Sequence, residues 1–342
     1  MSLIELLRKQ NRKYLFTTPS HEQRFFIFSK FRNFYKYDIS ETDAQDPQTA
    51  LLLAQERATK IYNTNHTYFL TNGSTSGIIA AVLSCTQKGD RVLIWKNSHP
   101  SHLNALKLAG CEPVFYNLPE IKDWGIPDKV APDVIDIKGV KAVIVTSPSY
   151  EGIVSDIKKI KAVCASNGAY LIVDEAHGAL YPFSDKLPQS AINIADFTIQ
   201  SLHKTAGGLN PTALLHVNCD IDASNALSMI NTTSPSYPIL ATIEANINFL
   251  NSKKGQKKLN NLIENIIELR NSVTNVEFGG DDITKILIKK SGLTGFELSE
   301  KLYDNFNIED EKTNSISTML LCGIGTDKTK LEHLKWALQK IC

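Results

Sequence analysis

The sequence predicts an α/β protein: a large, mostly parallel seven-stranded sheet with helices on both faces, followed by a smaller C-terminal α/β unit. Two observations carry this expectation. Between residues 66 and 217, short β-rich runs alternate with helix-length segments. The runs Ala142–Thr146 and Tyr170–Asp174 are also almost wholly apolar, as strands covered on both faces must be.

In order, the expected strands are His66–Thr71, Arg91–Trp95, Glu112–Tyr116, Ala142–Thr146, Tyr170–Asp174, Phe197–Ser201 and Thr212–Val217. Helices are expected at Ser76–Gln87, Ser101–Ala109 and Ile157–Asn167. Beyond Val217 the period changes: Ile243, Ile247, Leu250, Leu259, Leu262, Ile263 and Ile266 recur at helical spacing and predict one or two long helices over 239–272. The smaller unit reads as strand Ile283–Ile288, helix Thr294–Asn305, strand Ser317–Cys322 and helix Lys328–Ile341. The expected organisation is an N-terminal, mainly helical segment over 1–60, a large domain over 61–238, a helical connection over 239–275 and a small domain over 276–342.

Of the 342 residues, 42% are hydrophobic and 21% charged, and the formal net charge is +1. No global basic field points to nucleic acid or an anionic membrane, and Lys253, Lys254, Lys257 and Lys258 read as a solvated helix start. No run of eighteen apolar residues predicts a membrane span, and the N-terminus lacks the apolar core of a signal peptide. The six cysteines form no C-x-x-C pair, which fits buried, reduced thiols in a cytoplasmic protein rather than a disulfide framework or a zinc site.

Three strings end strands of the large sheet. Asn72-Gly73-Ser74-Thr75-Ser76-Gly77 opens a helix, where unpaired N–H groups, the dipole and three hydroxyls favour a phosphate; alone it reads better as an ordinary capped helix start. It is not a Walker A loop, so the later Asp-Glu-Ala-His string is not read as a helicase box. In Asp174-Glu175-Ala176-His177-Gly178, an acid at the end of a buried strand needs a cation, and a protonated pyridine nitrogen is one. Ala176 and Gly178 are small enough to leave room for a flat ring. A metal bound by Asp174 and His177 is the alternative, but no further ligand stands at the right spacing, so no metal is expected. In Ser201-Leu202-His203-Lys204-Thr205, a lysine among hydroxyls and glycines can be drawn into a site and form a Schiff base. Each string alone has a bland reading. Their order, with the acid about 100 residues after the phosphate turn and the lysine 30 residues later, supplies in turn the anchor, ring partner and aldehyde partner that pyridoxal 5′-phosphate (PLP) requires.

On these motifs the chain resembles the PLP-dependent Orn/Lys/Arg decarboxylases of the bacterial type, within the aspartate-aminotransferase fold, over roughly residues 15–325. The most specific pieces are Ser201–Thr205 and Asp174–Ala179, with Asn72–Gly77 as the phosphate turn. Asn97-Ser98-His99-Pro100-Ser101 is similar to the family's N-x-H-K-S segment, Thr233-Ser234-Pro235-Ser236-Tyr237 to its T-S-P-x-Y segment, and Asp38-Ile39-Ser40-Glu41 to its N-terminal D-x-S/T-E stretch. The resemblance implies that Lys204 is the Schiff-base lysine, Asp174 the pyridinium partner and His99 the residue stacked on the ring, with Ala176 on the opposite face. Ser74, Thr75, Ser76, Ser201 and His203 are the implied phosphate ligands. His177 joins the cofactor-binding set, and Thr233 reaches the cofactor of a neighbouring subunit in a homodimer with shared sites. The chain departs from the pattern at Thr18-Pro19-Ser20-His21-Glu22, where the family has P-G-H-K, and at Pro100, where it has lysine. The family's extra C-terminal domain is expected to be absent. The implied reaction is decarboxylation of arginine, lysine or ornithine. One residue-level observation agrees: of seven arginines the last is Arg270, so the small domain carries no arginine to clamp a substrate carboxylate as transaminases of this fold do.

Overall fold

In the computed structural model, which describes residues 14–15, 47–233 and 235–341, the large sheet is built from β1 (His66–Leu70), β2 (Arg91–Trp95), β3 (Glu112–Tyr116), β4 (Ala142–Thr146), β5 (Tyr170–Asp174), β6 (Phe197–Ser201) and β7 (Ala213–Val217). Their spatial order is β1-β7-β6-β5-β4-β2-β3. Only β7 runs against its neighbours, β1 and β6; every other pair is parallel. The mostly parallel seven-stranded sheet is therefore as the sequence predicts.

Side-chain alternation along these strands separates two cores. Ala142, Ile144, Ile172 and Ile199 pack on one face, with Ile78 and Val82 of the helix Gly73–Cys85 and Leu106 of the helix Pro100–Ala109. Val143, Val145, Leu171 and Val173 pack on the other, with Ile157, Ile160 and Cys164 of the helix Ile157–Ser166. Each fully buried valine or isoleucine is worth about 1.5–3 kcal/mol, which is why these strands are apolar without alternation. The helix Gly73–Cys85 lies tight against the sheet: a Cβ on Gly77 would come within 2.8 Å of Leu70 and 2.9 Å of Ile199.

The helical connection consists of two helices, Tyr237–Asn251 and Lys253–Ser272. They part at Ser252, whose side chain accepts from the Gly255 N–H and so caps the second. The small domain is an antiparallel sheet ordered Glu277–Gly279, Lys285–Lys289, Thr318–Leu321, Lys312–Thr313. It carries the helices Gly295–Phe306 and Lys328–Lys340. Its second strand starts two residues later than expected, because Asp282 closes a turn by accepting from the Thr284 N–H at 2.8 Å.

Several short elements differ from expectation. Tyr14–Leu15, in a stretch read as helical, is a two-residue strand parallel to Ile308–Glu309, a pairing specified by a partner some 290 residues away. The hairpin Glu120–Ile121/Ile126–Pro127 and the helix Ser224–Ile230 are too short to carry a readable period. The motifs at 18–22 and 38–41, and Ser234, lie outside the described residues. Among the described residues no helix is long and apolar enough to cross a membrane.

Candidate active site

Residues following β2, β4, β5 and β6, together with the start of the helix after β1, meet around one cleft of about 290 Å3. This is the C-terminal edge of the parallel strands, where helix dipoles and loop groups converge and open α/β sheets hold their ligands. Ser74, His99, Asp174, Ala176, His177 and Lys204 all line it. The sequence reading thus placed six of its site residues around a common space.

Lys204 sits in a single wide turn of π-helix, Leu202–Ala206, directly after β6, ended by Gly207 in the left-handed region at φ 86°. Such turns re-aim one side chain, and here the lysine enters the cleft wall. Its amine lies 3.0 Å from His177 Nε2. Burial lowers the Lys204 pKa, Asp174 and Glu311 oppose it, and Lys285 adds to it. Burial also holds His177 well below the ordinary imidazole value, helped by the charges of Lys204 and Lys285. A neutral His177 accepts at Nε2 from the lysine.

Asp174 ends β5, buried, with Thr146 of β4 opposite in register. Its Oδ1 accepts from the Ala176 N–H at 3.1 Å, and its Oδ2 lies 2.9 Å from His102 Nε2. Burial pushes this carboxyl up, but the bond and charge of His102, the Lys204 charge and the Ala176 N–H together outweigh it and hold it below the usual carboxylate range. Asp174 is therefore an anion with a cleft-facing side. Its neighbour Glu175 points into the core instead, bonded to Ser190, the Ala191 N–H and Gln200, and burial pushes its pKa up to about 7.

His99 caps the helix Pro100–Ala109, whose first-turn proline needs no N–H partner. Its Nδ1 lies 2.7 Å from Ser101 Oγ and accepts the Ser101 N–H at 3.2 Å, which fixes the ring at the cleft. Partial burial lowers its pKa; Asp174 opposes, and Lys204 and His102 reinforce. Gly178 departs from the expected role. It does not line the cleft: a Cβ there would come within 2.5 Å of Glu175 Cγ and 3.0 Å of the Tyr181 ring, so its small size serves core packing.

The hydroxyl set divides. Ser74 lines the cleft at the start of a helix whose N-cap, Asn72, makes no side-chain cap bond. Thr75 is half-buried. Ser76 turns back to donate to Gly73 O at 2.8 Å, occupied with its own helix turn. Ser201 Oγ is buried without a hydrogen-bond partner among the described residues, so it has a bond to give or accept. His203 Nδ1 lies 3.0 Å from Thr212 O. Thr233 is exposed and does not line its own chain's cleft.

Sequence reasoning missed His102, Tyr150, Glu151 and Lys312. His102 follows His99 by three residues and so shares its helix face, a readable signal. Tyr150 and Glu151 follow β4 at the same sheet edge as Asp174. Lys312 arrives from the small domain, 161 residues beyond its partner Glu151, and has no local signal. The small domain is also anchored here: Lys285 Nζ, fully buried, donates to His177 O and to Asp282 Oδ2, both at 2.6 Å.

These residues fit PLP chemically. The cleft offers an amine of lowered basicity, a buried carboxylate with a side toward the cavity and an uncapped helix N-terminus, and three residues before the lysine Ser201 carries a buried hydroxyl without a partner among the described residues. A family profile described as "Orn/Lys/Arg decarboxylase, major domain" matches residues 3–286. An arginine decarboxylase of Bacillus anthracis is 27% identical over 95% of this chain and 73% of its own length. The constitutive lysine decarboxylase of Escherichia coli is 25% identical over 77% of this chain and 42% of its own. The solved structure of that enzyme superposes with a TM-score of 0.79 at 20% identity, covering 91% of this chain and 55% of the other. An alanine–glyoxylate aminotransferase from Nostoc shares the fold at a TM-score of 0.67 and 14% identity, over 89% of each chain. The chain thus spans just over half of the solved decarboxylase and about three quarters of the arginine decarboxylase.

Proposed function

Because the chain belongs to the Orn/Lys/Arg decarboxylase family, whose members are PLP-dependent carboxy-lyases, we propose that it decarboxylates a basic amino acid, arginine, lysine or ornithine, to CO2 and the corresponding amine. The observation that carries this reading is the shared cleft of Lys204 and Asp174, a half-buried amine of lowered basicity beside a carboxylate held ionised. Bound PLP supplies an electron-withdrawing ring that accepts the electron pair left when CO2 departs. In this reading Asp174 holds the ring nitrogen protonated, with His102 and the Ala176 N–H keeping its carboxylate charged and oriented. His99 and Ala176 bracket the ring. Ser74, Thr75, Ser201, His203 and the N–H groups of the helix start serve the phosphate, while the Ser76 hydroxyl, bonded to Gly73 O, is left out of that set. Lys204 holds the cofactor, with His177 accepting from its amine and directing it. After the Cα–carboxylate bond breaks, Cα takes a proton from Lys204 Nζ or from the His99 ring.

An aminotransferase on the same scaffold is the main rival, and the small domain does bring a cation, Lys312, to the cleft. Its ammonium is engaged by Glu151 at 2.5 Å and offers no two-pronged clamp of the kind arginine makes, so decarboxylation remains the better reading. A PLP-binding protein with little turnover is the second rival. We further propose a cytoplasmic homodimer in which Thr233 of each chain serves its partner's cofactor; its exposure on its own chain leaves it available. The test is product analysis on purified PLP-loaded protein: release of CO2 and diamine or agmatine supports the reading. Keto acid formation supports transamination, and a bound-PLP spectrum without turnover supports the non-catalytic rival.

A further inference from the structure

Tyr150 and Glu151, in the loop after β4, and Lys312, from the small domain, line the cleft as a group that the chemistry at Lys204 does not use. Glu151 is buried, yet lies in the cleft wall. Its Oε1 accepts from Lys312 Nζ at 2.5 Å, and its Oε2 accepts from Ser149 Oγ at 3.2 Å. Lys312 Nζ stands 4.9 Å from the centroid of the Tyr150 ring. The Tyr150 hydroxyl donates to Glu311 Oε1 at 2.5 Å. The Tyr150 ring packs on His177 at 4.6 Å between centroids, and His177 in turn contacts Lys204. A cation is thus seated between a buried carboxylate and an aromatic face, with a second carboxylate joined to that ring's hydroxyl, one residue layer from the reactive lysine.

We propose that Glu151 and the Tyr150 ring, whose hydroxyl is held by Glu311, form the subsite for the distal cation of a basic amino acid, and that the Lys312 ammonium is its displaceable occupant in the ligand-free protein. The proposal rests on the decarboxylase reading above and names the residues that select the substrate class. Buried Glu151, with a side chain only 6% exposed, needs a cation in either state. Lys312 is 48% exposed along its side chain, so its ammonium can swing into water at small cost when a substrate cation replaces it. The exchange keeps one charge-assisted bond and one cation–π contact in place while the amino acid's own chain fills the space between. A neutral side chain gains nothing from this box, and an acidic one meets the Glu151 carboxylate. The selection is therefore for lysine-like or arginine-like side chains by charge, and against glutamate.

The test uses the PLP-loaded full chain and compares wild type, Glu151→Gln and Lys312→Met. CO2 release from lysine, ornithine and arginine gives KM and kcat; calorimetry gives the affinity for 1,5-diaminopentane against pentylamine, which lacks the second cation. Glu151→Gln should raise KM about tenfold or more with kcat changed far less, as expected for loss of a bond to a charged group, and should erase the preference for the diamine. Lys312→Met should lower KM, or tighten diamine binding, by about threefold or more, since it removes the internal competitor. An unchanged KM and diamine preference in Glu151→Gln overturns the subsite while leaving the decarboxylase reading intact. A higher KM in Lys312→Met also overturns it, by showing that Lys312 itself holds the substrate. If Glu151→Gln fails to fold, the Lys312→Met result decides alone. Wild-type protein that neither releases CO2 nor prefers the diamine refutes both readings together.

Discussion

Replacing His102 by leucine isolates what keeps Asp174 charged. The two side chains are 1% and 8% exposed, so water cannot take over the lost bond. Breaking a buried pair costs about 3–5 kcal/mol. Because Asp174 keeps the Ala176 N–H at 3.1 Å and the Lys204 charge nearby, the lower end applies, about 3 kcal/mol, or roughly a hundredfold in the folding equilibrium. The dependence on pH discriminates between mechanisms. Folding holds the Asp174 carboxyl below its unfolded value of about 3.9, so its contribution is present in full above that value and is lost as pH falls through the folded one. In His102→Leu burial is less opposed and the carboxyl moves up, so the variant carries its penalty at neutral pH and sheds it on protonation. Urea unfolding of both proteins should give a stability difference near 3 kcal/mol at pH 7 that shrinks between about pH 5 and 3. His102→Gln, which can still donate to Asp174, should recover part of it. A difference of the same size at every pH would refute the buried-carboxylate argument and leave a packing loss in its place.

Borohydride reduction of PLP-loaded protein should fix the cofactor on Lys204, and Lys204→Ala should abolish that link; mass spectrometry placing the adduct on another lysine would remove Lys204 from its assigned role. Asp174→Asn should keep much of the bound PLP but lose most activity, whereas Ser201→Ala with Thr75→Ala should weaken PLP retention, measured by dialysis and absorbance; full activity in Asp174→Asn contradicts the proposed ring-nitrogen role. Mixing inactive Lys204→Ala protein with an inactive variant changed at Thr232, Thr233 and Ser234 should restore up to about a quarter of wild-type activity, since only one hybrid site is intact; proven heterodimers without recovery exclude the shared site. Lys285→Met should destabilise the protein by about 3–5 kcal/mol, because Asp282 is left buried without its cation; a denaturation difference under about 1 kcal/mol would show that Tyr181 and Thr284 suffice.

The central strands of the large sheet, Ala142–Thr146, Tyr170–Asp174 and Phe197–Ser201, were legible because each is a short run buried on both faces and bounded by polar or glycine-containing segments, so local composition and tertiary role coincide; the edge strand Glu112–Tyr116 is largely exposed and was legible by its β-rich composition alone. Five of the seven strands, from Arg91–Trp95 to Phe197–Ser201, have the bounds expected from the sequence. Lys204, Asp174 and the turn at Ser74 were legible for a related reason. Each follows a strand of one parallel sheet, and parallel strands deliver their C-terminal ends to one edge whatever the intervening sequence. The long helices were readable by period, although the break at Ser252 rests on a single capping bond.

Other features depend on contacts that no local pattern encodes. The strand Tyr14–Leu15 exists through pairing with Ile308–Glu309. Gly178, which looked like room for a ring, turned out to be room for Glu175 and Tyr181, because the direction of a side chain after a strand is set by the packing around it. By itself the sequence determined the sheet, the order of the three strings that end its strands and the cofactor they suit, all of which are written in short-range pattern and strand direction. Only the tertiary structure decided that Ser76 is spent on its own helix turn, that His102 holds Asp174, and that Lys312 crosses from the small domain to Glu151. Those are pairings across long stretches of chain, and their energy comes from burial and charge that exist only once the chain has folded.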